Sequence, residues 1–178
     1  MSTTWWIAQI ILVIVSILGI IGVQQKRKSV ILAFYTANTL LAAVAVAMLG
    51  SYSASIVLMI LTALAITSHQ YDIRNKKVPI WLILVFIFVI VSAGAVFIHQ
   101  PADVISIFAS VSYVIAIFQK KEANLRRFTL LYLCFWVTFD VLVFAAAAIV
   151  TDSIQVISTI IAIMRLDRKK RKKSEIKE

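Results

Sequence analysis

The chain has 178 residues, of which 62% are hydrophobic and only 15% charged, with a mean hydropathy of +0.98 and a net charge of +10. That balance excludes an ordinary soluble domain, and with no long polar segment it leaves no room for a separate soluble catalytic module. The basic excess would suit nucleic acid if aromatic residues were interleaved with the charges to stack on bases, but the run RKKRKK at 168–173 contains none, so no nucleic-acid partner is expected.

A bilayer span needs about 20 apolar residues, and seven segments read as spans: 5–23, 30–49, 53–69, 80–98, 101–119, 128–150 and 153–164. The first is expected to be a retained helix and not a signal peptide, because MSTT carries no positive charge and the apolar stretch exceeds a usual h-region. Residues 29–71 hold no Asp, Glu, Lys or Arg, so they contain two spans, with the break in LGSYSAS at 49–55, where Gly and small hydroxyl residues let the chain turn. The fifth and seventh spans are short, and Lys120 and Arg165 are expected to reach along their aliphatic stems to the interface. Cys134, the sole cysteine, reads as a packing residue of the sixth span. Trp5, Trp6 and Trp81 fit interfacial anchors. His69 and His99 stand at span ends outside any metal-ligand spacing, so neither a metal nor a cofactor is expected.

All 18 basic residues fall after spans one, three, five and seven, whereas the intervening connections carry only Asp103 and Asp152. The positive-inside rule then puts the N-terminus outside and the C-terminus in the cytoplasm of a multi-pass protein. The basic tail is expected to attract anionic lipid headgroups of the bilayer without specificity.

The two ends of the chain are alike. Setting Gln24 on Gln119 aligns spans one and five with the basic loops after them, and lays AFYTANTLLAAVAVAMLG over CFWVTFDVLVFAAAAIVT, Tyr35 near Trp136 and Asn38 near Asp140. The expected fold is an all-α integral membrane protein of seven transmembrane helices. It forms two parallel three-helix units joined by a linker helix (3+1+3) within one domain: 1–77, linker 78–100, 101–164, and a basic tail 165–178. An odd spacer makes the units parallel, with their pseudo-symmetry axis along the membrane normal.

That topology resembles the sugar transporters of the SWEET (MtN3-like) type and, more loosely, bacterial vitamin transporters of the PnuC type. In WWIAQIILVIVSILGIIGVQQKRK, MLGSYSAS and IIAIMR the closer resemblance is to YgjV-type bacterial inner-membrane proteins. It implies a small polytopic protein of the bacterial inner (plasma) membrane. Two departures are visible: spans one and five have no Pro-Gln pair, and span three, SIVLMILTALAITSHQ, has no Asn or Arg midway.

Asp140, in FWVTFDVLVF, is the anomaly. A bare carboxylate at the middle of a span costs several kcal/mol, about 2.5 to 3.5 on insertion scales, and no Lys or Arg stands at comparable depth. It is therefore expected to be neutral and hydrogen-bonded or to face water. Tyr132, Trp136 and Asp140 share one helical face, and Tyr35 shares another with Asn38 and Thr39. Each half so offers an aromatic ring one turn from a polar group, a way to hold a small polar solute. Gln9, Tyr113, Ser110 and Ser112 could complete the site. The alternative use of such residues is hydrogen bonding between helices, which is the expectation for Ser16, Thr62, Ser92 and Ser158. No GxSxG, HExxH, Walker loop or paired carboxylates is found, so no enzyme is expected. The reading is a facilitator or proton-coupled carrier of a small polar solute, against a noncatalytic interaction, lipid-binding or assembly protein. Self-association into a homo-oligomer stays open.

Overall fold

The structure, a computed structural model, describes residues 3–50, 52–96, 101–142 and 146–167. They form seven helices: α1 (Thr3–Val23), α2 (Lys28–Met48), α3 (Tyr52–Ile73), α4 (Ile80–Val96), α5 (Pro101–Phe118), α6 (Glu122–Leu142) and α7 (Ala146–Ala162), the last followed by a π turn (Ile163–Asp167). Helices are what lipid permits, because each backbone N–H and C=O must be satisfied within its own segment. Four stretches, Thr3–Val23, Lys28–Met48, Ser55–Ile73 and Ile149–Asp167, are long and apolar enough to cross a membrane. Ile80–Val96 and Val104–Phe118 are shorter apolar helices.

Exposure is inverted relative to a soluble protein. Ile7, Ile10, Ile14, Ile17 and Ile21 form an exposed stripe on α1, and Ile154, Ile157, Ile161 and Met164 form another at α7. On α4, Trp81, Leu84 and Phe88 are all exposed and only Ile90 is buried. Stripes of that length at helical spacing are surfaces for lipid.

Three helices differ in their ends from expectation. α6 begins at Glu122 and ends at Leu142, not 128–150, because the Glu122–Arg127 segment is helical and its Arg126 is buried. Asp140 therefore stands in the last turn of α6, not at its middle. α7 begins at Ala146, so Asp152, expected in a connection, is inside a helix, and this seventh helix is not short. α3 runs one turn beyond 69 to Ile73, where Asp72 pairs with Lys28 at 3.3 Å. The turn expected within 49–55 is made at Leu49 and Gly50, the latter at φ +85°, a left-handed conformation that suits glycine. At the end of α3, Asn75 takes the same role at φ 52°; its N–H reaches Asp72 O, and Lys76 N–H reaches Tyr71 O. His99 and the tail from residue 168 lie outside the described residues.

α2 packs between α1 and α3, and α6 between α5 and α7; α1 also meets α7, and α3 meets α5. α4 leans chiefly on α5, with its Gly94 so close to Ile107 that an added Cβ would sit 2.7 Å from Ile107 Cγ1. The buried core runs through Ile31, Leu32, Leu64, Val114, Ile117 and Leu125. Lys28, Asp72, Arg126 and Asp167 share one end of the bundle, called the basic end below.

Candidate functional site

A cavity of about 560 Å³ is lined by α1, α2, α3, α5, α6 and α7. Its lining residues on α1 run from Gln9 to Val23, about 21 Å of helix at 1.5 Å per residue. Of the residues expected to form a site, Gln9, Tyr35, Asn38, Thr39, Tyr113, Tyr132 and Trp136 line it. Asp140, Ser110 and Ser112 do not. Ser110 bonds back to Ser106 O on its own helix at 2.9 Å.

The aromatic residues form a connected wall. The Tyr35 and Tyr113 rings are 6.1 Å apart, Tyr113 and Tyr132 5.1 Å, and Tyr132 and Trp136 6.4 Å, with Phe139 edge-on to Trp136 at 5.4 Å. α2, α5 and α6 each contribute, so the wall exists only in the assembled bundle. Tyr35 Oη donates to Thr129 Oγ1 at 3.2 Å, joining α2 to α6. The Tyr113 hydroxyl, on a side chain only 5% exposed, has no partner.

Asn38 Nδ2 donates to Val15 O at 2.6 Å, so it is a strut between α2 and α1 as well as a wall residue. Thr62 Oγ1 lies 2.9 Å from Thr39 Oγ1 and ties α3 to α2. Gly19 makes the crossing of α1 close enough that an added Cβ would meet Gln155 Oε1 at 2.7 Å and Asn38 Nδ2 at 3.4 Å.

The absence of paired carboxylates, expected from the sequence, is corrected by the fold. Asp152, on the second turn of α7, faces the cavity and hydrogen-bonds Asp140, the buried carboxyl in the last turn of α6. Two carboxyls can share a hydrogen bond only when one carries a proton. Gln155 Nε2 donates to Asp152 Oδ1 at 3.3 Å, and Asp140 Oδ2 has no partner. Asp152, Gln155 and Thr159 are spaced three and four apart on one face of α7, and all three line the cavity. That spacing was legible in the sequence once α7 is begun at the alanine run.

The basic end is built differently. Arg126 is 1% exposed; its Nε donates to Val23 O at 3.1 Å, one terminal nitrogen to Gln25 O, and the other to Asp167 Oδ1 at 2.6 Å. The guanidinium thus caps the carbonyl end of α1, where the helix dipole favours a cation. Gln24 Nε2 donates to Ser158 O and Oγ at 2.8 and 3.0 Å, and Arg165 donates to Gln24 Oε1 at 2.9 Å. Ser68 Oγ reaches Ile117 O at 2.8 Å, tying α3 to α5. Cys134 is exposed on α6.

No curated protein and no solved structure matches the chain. A family model, Imp-YgjV, described as bacterial inner membrane protein, matches residues 6–170. With that match covering nearly the whole length, and with helices of membrane-crossing length and apolarity, the chain belongs to the Imp-YgjV family of bacterial inner membrane proteins.

Proposed function

We propose that the chain is a noncatalytic facilitator or proton-coupled carrier that moves a small polar solute by alternating access between two parallel three-helix units, α1–α3 and α5–α7, with α4 as linker. The observation that carries this reading is the 560 Å³ cavity between the triplets, which combines aromatic rings with amides, hydroxyls and a carboxyl. Such a volume suits a small molecule. Packing of α1 on α7 and of α3 on α5 supplies the seam along which the units rock. The Arg126, Gln24, Tyr35 and Ser68 ties cross that seam in its basic half, so the conformation described is the one closed at the basic end. Opening that end requires those bonds to break together. The concentration of basic residues at this end supports a cytoplasmic placement for it, with the N-terminus outside.

Cysteine accessibility tests the reading. In a Cys134→Ser background, a cysteine at Ser16, a wall residue, should react with a water-soluble thiol reagent, and a solute that raises the melting temperature should protect it. An unreactive Ser16→Cys would mean a dry interior and would sink the carrier reading. The struts Asn38 to Val15 O and Thr62 to Thr39 favour a second reading, a noncatalytic interaction or assembly protein whose polar residues only join helices. That reading predicts no solute protection anywhere in the cavity.

A further inference from the structure

The chemistry of the cavity wall narrows what it takes. Among the described residues that line it, Asp152 is the only charged side chain, and no Lys, Arg or His is among them. Asp140 is buried beside Asp152 and hydrogen-bonded to it. In its one-proton state this pair holds one negative charge, and no cation on the wall neutralises it. An anion brought into the cavity meets repulsion in a poorly screened site. A neutral solute leaves the charge uncompensated. A cation compensates it.

A second, independent feature points the same way. Tyr113, Tyr132 and Trp136 form a continuous aromatic surface on the cavity wall, and aromatic faces attract ammonium and guanidinium groups. Tyr113, 5% exposed, brings a hydroxyl with no partner to that surface. An orphaned hydroxyl of this kind awaits a polar group that the protein does not supply. Leu12, Val15, Leu58 and Leu61 line the same cavity and give an apolar surface for a hydrocarbon body.

From this combination we infer that the solute is a small organic cation, its ammonium or guanidinium group set between the Asp140–Asp152 pair and the aromatic wall, its apolar part against α1 and α3. The inference rests on the carrier reading above and specifies its substrate class.

The test uses the purified full-length chain and compares choline with 3,3-dimethylbutan-1-ol, its uncharged isostere, at matched ionic strength; tetramethylammonium, agmatine, glucose and uridine complete the panel. Choline or another of the cations should raise the melting temperature in a saturable way, and the isostere should not. Asp152→Asn, which keeps shape and hydrogen bonding, should weaken the cation about 10- to 100-fold, the worth of a bond to a charged group. Trp136→Leu should weaken it as well, with Trp136→Phe in between. Equal binding of choline and its isostere overturns the inference and leaves a solute site in place, as does binding of glucose or uridine with none of the cations. If no compound of any class binds, the carrier reading falls with it. The comparison of choline with its isostere is made on the unaltered protein, so it stands even if a variant fails to fold.

Discussion

Arg126 and Asp140 are both buried charge-bearing residues of α6, about four turns apart, and they are treated in opposite ways. Arg126 bonds through each of its three nitrogens, to carbonyls at the end of α1 and to Asp167 Oδ1, and although Asp167 Oδ2 has no partner, the charge of Arg126 is met by an opposite charge within the fold. Asp140 shares a hydrogen bond with another acid and leaves one oxygen without a partner. An ion paired with an opposite charge is strongly resistant to change, because removing one member strands the other. An acid held by another acid can exchange its partner for water, a proton or a solute at much lower cost. Within one helix, then, the basic end is fastened to the ends of α1 and α7 and the opposite end stays chemically available.

The largest effect should come from breaking the fastened end. Arg126→Met strands Asp167 and two carbonyls, and loss of one partner of a buried pair costs about 3 to 5 kcal/mol. A steep fall in melting temperature is expected in detergent, and a variant as stable as the parent would erase the contrast between the two ends. Next comes a steric version of the same comparison. A Cβ at Gly22 would meet Phe34 Cβ at 2.8 Å, close to the backbone of α2, whereas at Gly19 it meets the far end of the Gln155 side chain, which can swing away. Gly22→Ala should cost about 1 to 3 kcal/mol by overpacking. Gly19→Ala should unfold nearly with the parent while altering whatever the cavity binds.

Asp140 itself sharpens the comparison. Asp140→Asn is expected to leave unfolding almost unchanged but to abolish solute-induced stabilisation. Asp140→Leu separates the roles further. If the carboxyl were only a strut, its lost partner would go unsatisfied at about 1 to 3 kcal/mol; a small loss is expected instead. A fall in melting temperature for Leu but not Asn, with solute response intact in Asn, would return Asp140 to the status of structural glue. The smallest effect is expected at Tyr35→Phe, which deletes the bond to Thr129 and should cost about 0.6 kcal/mol, typical of hydrogen bonds between membrane helices. A double-mutant cycle with Thr129→Val measures it. In the same Cys134→Ser background, a cysteine at Ser51 should label from outside intact cells and one at Ser174 should not; labelling at 174 would reverse the proposed orientation.

Which parts of this were legible in the sequence depended on contrast. Charge against apolar background made seven helices countable, and the positions of Tyr35, Asn38, Tyr132 and Trp136 on shared faces followed from helical spacing. Where contrast failed, so did the boundaries. The run FAAAAIV at 144–150 has no polar residue to mark an end, so the pattern carries the sixth span through it and leaves Asp152 in a connection. That placement separates Asp152 from Gln155 and Thr159, which the pattern puts in the seventh span, and conceals the carboxyl pair. Arg126 was invisible for another reason. Basic residues at a span end ordinarily snorkel to water, and only three-dimensional proximity to the end of α1 gives this one buried acceptors. Arg165, expected to reach the interface, is exposed and also donates to Gln24 just past the end of α1.

The π turn at Ile163–Asp167 carries a consequence of phase. Its hydrogen bonds run from i to i+5, one residue wider than those of the helix before it, so Asp167 at its end is rotated by about 100° relative to an unbroken α-helix. Asp167 lies at the end of that shift, and its meeting with Arg126 is therefore a matter of angular register as much as of distance. Deleting Met164 should restore the regular winding, turn Asp167 off the guanidinium, and cost nearly as much stability as removing Arg126 itself. The same rewinding, done reversibly by moving each hydrogen bond one residue along, would unlock the basic end without breaking the helix.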